Sequence, residues 1–526
     1  MAKATFSKIT YVTLFADESI HPKYEATLKK FEVMLGQHYP MYIGEEKVWS
    51  DDGEFEHKSP IDTSITVGVF QTGTREHATL AIATAKKAFP TWSGKSWQDR
   101  VSIMKKAADL IDERKFDIAA VITYEVGKNR LEALAECWEA IDVIKFYSKI
   151  MAQNNGYIKK MDSGGPGEDC KVFSKPFGVW PVISPFNFPF MLANGMALGA
   201  LITGNTVILK PTCEAPLTGL MLYHVFKDAG IPAGAINYVS GPGANFEQEF
   251  VSNKDVAGIA FTGSRDVGMR LYREFLIQQS YPKPMVLETG SKNPVVVTSS
   301  ADINRAVEGT VRSMFGYGGQ KCSATSRIYV QSSIREKFLK ALRERVEKIV
   351  VGDPRKKDVF MGPVINQVVV EKFETALAEA KKAGGKVVTG GKVLKEGNFK
   401  EGFYLSPTII IGLPAHNRLF KDELFMPLVV VDEFKTMEEA ISKVNDTEYG
   451  LTAGIFSENP EELQTFMNHV QFGVLYANRS GGATTGAWPG VQSFTGWNAS
   501  GATGRGVGGT HYLLNFLRDQ SQTIVS

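Results

Sequence analysis

Cysteine is scarce in this chain of 526 residues, with only Cys137, Cys170, Cys213 and Cys322. Four thiols in so long a chain cannot staple it as a disulfide framework, and they lack the close pairing of a structural zinc site. A reducing cytoplasm is the compartment expected, and no metal. Excess charge is also missing: 59 basic residues face 57 acidic ones, interspersed, so there is no electrostatic footprint for nucleic acid. No G-x-G-x-x-G fingerprint occurs at a strand end, which argues against a plain Rossmann dehydrogenase. The N-terminus, MAKATFSKITYV, has no sustained apolar core or small-residue cleavage site, so no secretory signal is expected. One stretch, Pro176–Leu209, carries no ionisable side chain. Pro181, Pro185 and Pro189 would break a helix in its first half, so strand, loop, buried helix and strand is the reading, and not a membrane span.

What remains is an ordinary globular composition, 43% hydrophobic and 22% charged, long enough for about three or four domain-sized units. Amphipathic helices are expected at Thr74–Phe89, Trp97–Glu113, Phe116–Glu125 and Leu131–Met151, covering one face of a sheet. Around SGGPGED, alternating residues over Gly156–Val179 read as a β-hairpin or a loose surface loop. From Trp180 the segments VWPVI, TVILK, INYVS and VAGIAFTG are each followed by a helical stretch. Strands alternating with helices predict an α/β fold with a parallel sheet covered on both faces, its ligands at the carboxyl ends of the strands. A second α/β unit is expected to begin near Met285.

Phe315–Arg327, FGYGGQKCSATSR, sets Cys322 among small and polar residues. A lone cysteine is usually a small buried hydrophobe, but two other stretches carry matching chemistry. VLETGSKNP brings Glu288 to the end of a β-branched strand, and VISPFNFP sets Asn187 between two phenylalanines. A thiol, a carboxylate and an amide supply a nucleophile, a base and an oxyanion donor.

With these residues the chain resembles the NAD(P)-dependent aldehyde dehydrogenase superfamily, whose motifs are an Asn-Phe-Pro turn, E-L-G-G-K and G-Q-x-C, from about Tyr42 to the C-terminus. The resemblance implies Cys322 as nucleophile, Glu288 as base and Asn187 as oxyanion donor. It implies a Rossmann-like cofactor domain over 1–155 and 177–284, and a catalytic domain over 285–480. Oligomerisation elements are implied at 156–176, a projecting hairpin, and 505–526, with a substrate-anchoring loop at 481–504. A homo-oligomer, dimer or higher, follows from the same likeness. NAD, with NADP possible, would be held by Ser184, Pro185, Phe186, Lys210, Gly263, Ser264, Gly268, Thr289 and Gly290, and by Glu423 and Phe425 of ELFMP. The superfamily's K-P-x-E reads Lys210-Pro211-Thr212-Cys213 here, with Glu214 one place late.

SPFNF, GQKCSA and the pattern from Thr485 to Gly509 are most similar to the branch that oxidises L-glutamate γ-semialdehyde, the open form of 1-pyrroline-5-carboxylate. That likeness implies a place in proline catabolism. It gives Ser323, Gly486 and Ala487 to the substrate's α-carboxylate, and Phe188 and Phe494 to its aliphatic chain. SFTGWNASG replaces P-F-G-G-x-x-x-S-G, and ETGS replaces E-L-G-G. The alternatives are another acidic semialdehyde or small aldehyde, a coenzyme-A-acylating relative, which usually lacks the glutamate, and a non-catalytic binding protein, which needs no intact triad.

Overall fold

The computed structural model describes residues 18–481 and 489–526. Two sheets of seven strands organise the described residues. The first runs, in spatial order, through Met285–Thr289, Ile259–Gly263, Val179–Ser184, Thr206–Pro211, Ile236–Tyr238, Met41–Ile43 and Glu46–Val48. Its first five strands are parallel and the last two join antiparallel. The second runs through Lys386–Thr389, Thr408–Ile411, Leu428–Phe434, Thr325–Gln331, Asn293–Val297, Thr452–Phe456 and Val474–Ala477. Only its edge pair, Lys386–Thr389 with Thr408–Ile411, is antiparallel. Every residue of Thr206–Pro211 and of Asn293–Val297 is buried, as strands covered on both faces must be.

Two expectations need correction. Met285–Thr289 pairs parallel with Ile259–Gly263 along its whole length, so it completes the first sheet, and the chain crosses to the second only after Thr289. Its apolar residues Met285, Val286 and Leu287 fit either sheet, which is why 285 looked like a boundary. Trp97–Val126 is one helix and not two. The charged run Asp112–Lys115 interrupts the apolar rhythm in the sequence. The helix continues because its second half changes environment: every residue from Ile118 to Val126 is buried. Gly127, with φ +73°, ends it.

Ile158–Lys160 and Glu168–Pro176 form the hairpin, and the chain's last strand, Leu517–Val525, pairs along the whole of Glu168–Pro176. The result is a three-stranded arm rooted beside the first sheet. The largest apolar core lies under that sheet and includes Phe188, Tyr317 and Phe494, with Cys322 packed against it.

Candidate active site

The cleft forms where the carboxyl ends of the first sheet meet the amino ends of the second. Ser184, Lys210, Gly263 and Thr289 lie at or beside the ends of first-sheet strands. Asn293, Thr325, Leu428 and Thr452 begin second-sheet strands, and Cys322 and Phe425 stand just before two of them.

Cys322 follows a tight 3-10 turn, Gly316–Gly319, in which Tyr317, Gly318 and Gly319 all have positive φ. A side chain at Gly319 would lie 2.7 Å from the Met426 carbonyl oxygen, so glycine lets the nucleophile loop press against the 423–427 segment. Asn293 fixes the loop from below: its Nδ2 donates to the carbonyl oxygens of Cys322 (2.7 Å) and Ala324 (2.9 Å) and to Ser291 Oγ (3.0 Å). Its Oδ1 accepts from the Thr452 N–H at 3.0 Å. At roughly 0.5–1.5 kcal/mol net per bond, this one amide is a substantial clamp.

Glu288 and Cys322 are both half-buried and share the cleft. Burial, assisted by the Glu288 and Glu423 charges, pushes the Cys322 thiol up to about 12. Burial alone pushes the Glu288 carboxyl up to about 8. A protonated thiol beside a carboxyl that ionises near neutrality is a nucleophile waiting for its base. Glu288 also bridges Gly501 antiparallel, the Ala502 N–H donates to the Leu287 carbonyl (3.2 Å), and Thr289 Oγ1 donates to the Ala499 carbonyl (2.7 Å). The C-terminal segment thus braces the strand that carries the carboxylate.

Asn187, 4% exposed, sits in the turn between Val179–Ser184 and the helix Met191–Ile202, and no hydrogen bond of its side chain occurs among the described residues. Its amide is therefore unspent. Ser323 is 1% exposed, and its hydroxyl oxygen is buried without a hydrogen-bond partner among the described residues. An orphaned hydroxyl beside a nucleophile is costly unless a ligand completes it. Phe188 and Phe494, both buried, join the same apolar core. Gly486 and Ala487 lie outside the described residues.

On the first-sheet rim, Lys210 Nζ is buried and donates to the carbonyl of its neighbour Pro211 (2.9 Å), and Ser184 Oγ is buried with no partner. Pro185 and Phe186 follow in the loop, where Phe186 meets Phe425 edge-on at 5.9 Å between ring centroids. Phe425 holds φ +59°, a left-handed conformation that non-glycine residues rarely adopt. Gly263 ends its strand, and Ser264 caps the helix Arg265–Gln278 through backbone alone, leaving the first-turn N–H groups toward Gly268 without a side-chain cap. Gly290, φ +50°, leaves no room for a side chain, which would meet Glu423 Oε2 at 3.0 Å and the Tyr449 ring at 2.8 Å. Glu423 Oε1 accepts from the Ser291 N–H (2.7 Å), and burial raises its carboxyl to about 7. Glu214 accepts from Asn366 Nδ2 (2.7 Å), so Cys213 alone occupies the place of the family's glutamate. An ammonium, an orphaned hydroxyl and an uncapped helix start on the first-sheet rim, with the Glu423 carboxylate reaching Gly290 from the second, suit a ligand bearing both phosphates and sugar hydroxyls.

The sequence reading missed Asn293, which stood in plain view in the SKNP stretch. It missed Lys292, whose ammonium is buried without a hydrogen-bond partner among the described residues and is pulled down to about 7 by burial and the nearby Arg327 charge. It also treated Leu131–Met151 as a covering helix. Glu132, Glu136 and Glu139 recur there at spacings of one and two turns on one face of the helix Arg130–Gln153, the first two buried and the third half-buried. That spacing was the signal.

Residues 48–521 match the aldehyde dehydrogenase family. A 1-pyrroline-5-carboxylate dehydrogenase of Geobacillus thermodenitrificans is 36% identical over 515 residues, 97% of each chain. The crystal structure of a Thermus 1-pyrroline-5-carboxylate dehydrogenase with bound NAD superposes with a TM-score of 0.93, covering 100% of both chains at 34% identity. A betaine aldehyde dehydrogenase from Staphylococcus aureus, solved with NAD+, reaches 0.89 at 29% identity, covering 95% of this chain and 97% of its own.

Proposed function

The chain belongs to the aldehyde dehydrogenase family, and from that premise we propose that it oxidises L-glutamate γ-semialdehyde, the open form of 1-pyrroline-5-carboxylate, to L-glutamate with NAD. One observation favours this substrate over an uncharged aldehyde: the buried, unpartnered Ser323 hydroxyl beside Cys322. A hydroxyl donor there suits an α-carboxylate, and Gly486 and Ala487 are proposed to add backbone donors to it. Phe188 and Phe494 flank the aliphatic chain between carboxylate and aldehyde.

The chain's own groups then divide the work. Glu288 takes the Cys322 proton, directly or through water, and the thiolate adds to the aldehyde carbon. Asn187 Nδ2 and the Cys322 backbone N–H hold the resulting oxyanion. When bound, NAD supplies the hydride acceptor that converts the adduct on Cys322 into a thioester. Ser184, Lys210, the helix start at Ser264 and Glu423 are the groups proposed to hold it, with Pro185, Phe186, Gly263, Gly268, Thr289, Gly290 and Phe425 shaping the cleft. Glu288, once it has passed its first proton to solvent, finally deprotonates the water that hydrolyses the thioester and frees Cys322 as the thiolate. The arm of Ile158–Lys160, Glu168–Pro176 and Leu517–Val525 is proposed to join subunits of a homo-oligomer, and the compartment proposed is the cytoplasm. Absorbance of NADH over a panel of aldehydes tests the assignment. The highest kcat/KM is expected for glutamate semialdehyde; equal or better turnover of an uncharged aldehyde of the same length contradicts it.

A further inference from the structure

The turn that carries Asn187 is held by a carboxylate from another element. The helix Met191–Ile202 begins at Phe190 without a side-chain cap of its own. Glu136 Oε1, from the helix Arg130–Gln153, accepts from the N–H groups of Phe190 (2.8 Å) and Met191 (3.0 Å). Glu136 Oε2 accepts from Lys128 Nζ at 2.6 Å, and both side chains are fully buried. The same ammonium lies 3.5 Å from the centroid of the Phe188 ring, next to Asn187 in sequence. One turn earlier on the same helix face, Glu132 Oε1 accepts from Lys321 Nζ at 2.7 Å, immediately before Cys322. One rigid helix therefore grips the asparagine turn with one glutamate and the cysteine loop with another.

We infer that Glu136 is a positioning residue: with Lys128 as its counter-charge, it sets where the Asn187 amide stands relative to the Cys322 sulfur. The inference rests on the proposed oxyanion role of Asn187 and adds what holds that amide in place. Helix starts are ordinarily capped by short polar side chains or water, and a buried ion pair is a costly substitute when only stability is at stake. A charged acceptor shared by two successive N–H groups fixes the first turn tightly, and tight placement is what oxyanion stabilisation requires, since a misplacement of about 1 Å can cost about a hundredfold. Leu192 and Asn194 continue the turn, their N–H groups donating to the Phe188 and Phe190 carbonyls at 3.0 and 2.8 Å.

The test neutralises both partners so that no buried charge is stranded. Glu136→Gln with Lys128→Met keeps an acceptor for the two N–H groups; Glu136→Leu with Lys128→Met removes it. For the leucine pair, kcat is expected to fall about ten- to a hundredfold while KM and NAD affinity stay within about threefold. The glutamine pair is expected to fall only about two- to fivefold, because a neutral acceptor replaces a charged one. In an Asn187→Ala background the leucine pair is expected to lose less than about threefold more, because the group it positions is gone. No fall in the parent background, or losses that multiply in the two backgrounds, overturns the inference and leaves Glu136 a stability element. If the leucine pair does not fold, the glutamine pair carries the same cycle: a fall in the parent background that is absent without Asn187 supports it, and an equal fall in both, or none, overturns it. Asn187→Ala alone keeps the two claims separable, because an unchanged kcat there removes the oxyanion reading itself.

Discussion

The two rims of the cleft are built in opposite ways. Along the carboxyl ends of the first sheet the polar groups are left unspent: Ser184 Oγ has no partner, Lys210 reaches only a neighbouring carbonyl, and burial is all that shifts the Glu288 carboxyl. Along the amino ends of the second sheet they are tied down. Asn293 clamps the cysteine loop, Glu423 accepts from Ser291, and Arg327 donates to the carbonyls of Lys292 (3.0 Å) and Val444 (2.9 Å). A frame whose hydrogen bonds are satisfied can hold a nucleophile still, whereas groups meant for ligands must be left with bonds to give. Among the described residues three groups on the tied rim break the pattern, Lys292 Nζ, Ser323 Oγ and Ser326 Oγ. Lys292 sheds its charge easily, with its ammonium brought down to about 7. Ser323 has no such escape, and the substrate carboxylate is the partner proposed for it.

Removing the one reactive group from the tied rim has the largest expected effect. Cys322→Ala is expected to cut aldehyde oxidation by at least about ten-thousandfold while NAD affinity, proposed to rest on Ser184, Lys210, the helix start at Ser264 and Glu423, stays within about threefold. Steady-state kinetics beside calorimetric NAD titration checks both halves; a parallel loss of NAD binding would show that the thiol also supports the cofactor. On the unspent rim, Glu288→Gln is expected to lower steady-state turnover about a hundred- to ten-thousandfold. Because both Cys322 activation and thioester hydrolysis are proposed to rest on that carboxylate, rapid mixing is expected to show a slowed burst of NADH followed by a stall. Undiminished turnover would move the base elsewhere.

A smaller effect of the same substitution lies in stability. The Glu288 carboxyl stands at about 8 in the folded chain, against about 4.3 for an unperturbed glutamate. Between those values the folded state holds a proton that the unfolded state has lost, so this residue's contribution falls as pH rises through that window. Glu288→Gln removes the dependence. The difference in Tm between variant and wild type is expected to be more positive at pH 9 than at pH 5; a difference independent of pH would mean that Glu288 ionises normally.

How far the sequence revealed this arrangement depended on range. Alternating strands and helices announced an α/β fold, because that signal is local, whereas Gly/Pro punctuation left hairpin and loose loop open until likeness to a family chose between them. Sheet membership is not local, so Met285–Thr289 could be read as opening the second sheet when it closes the first. The strand Leu517–Val525 reads LRDQSQTIV, too polar to announce itself, and it exists because Glu168–Pro176 offers a free edge. Cys322, Glu288 and Asn187 were visible as chemistry in turn-rich settings, although their convergence came only through likeness to a family. Asn293 and Glu136 were invisible for a different reason: each acts on backbone atoms of a distant segment, and sequence holds no mark of which carbonyl or N–H a side chain will find.

The central claim is that the orphaned hydroxyl of Ser323 recognises the carboxylate of glutamate semialdehyde. The most direct measurement is kcat/KM for that aldehyde and for an uncharged aldehyde of equal length, in wild type and in Ser323→Ala. Both substrates are expected to use Cys322, Asn187 and Glu288 alike, so their ratio isolates the proposed carboxylate contact. Loss of a charge-assisted hydrogen bond of about 1.5–3 kcal/mol predicts a ten- to hundredfold fall for glutamate semialdehyde and little change for the uncharged one. Equal losses for both aldehydes would contradict the claim.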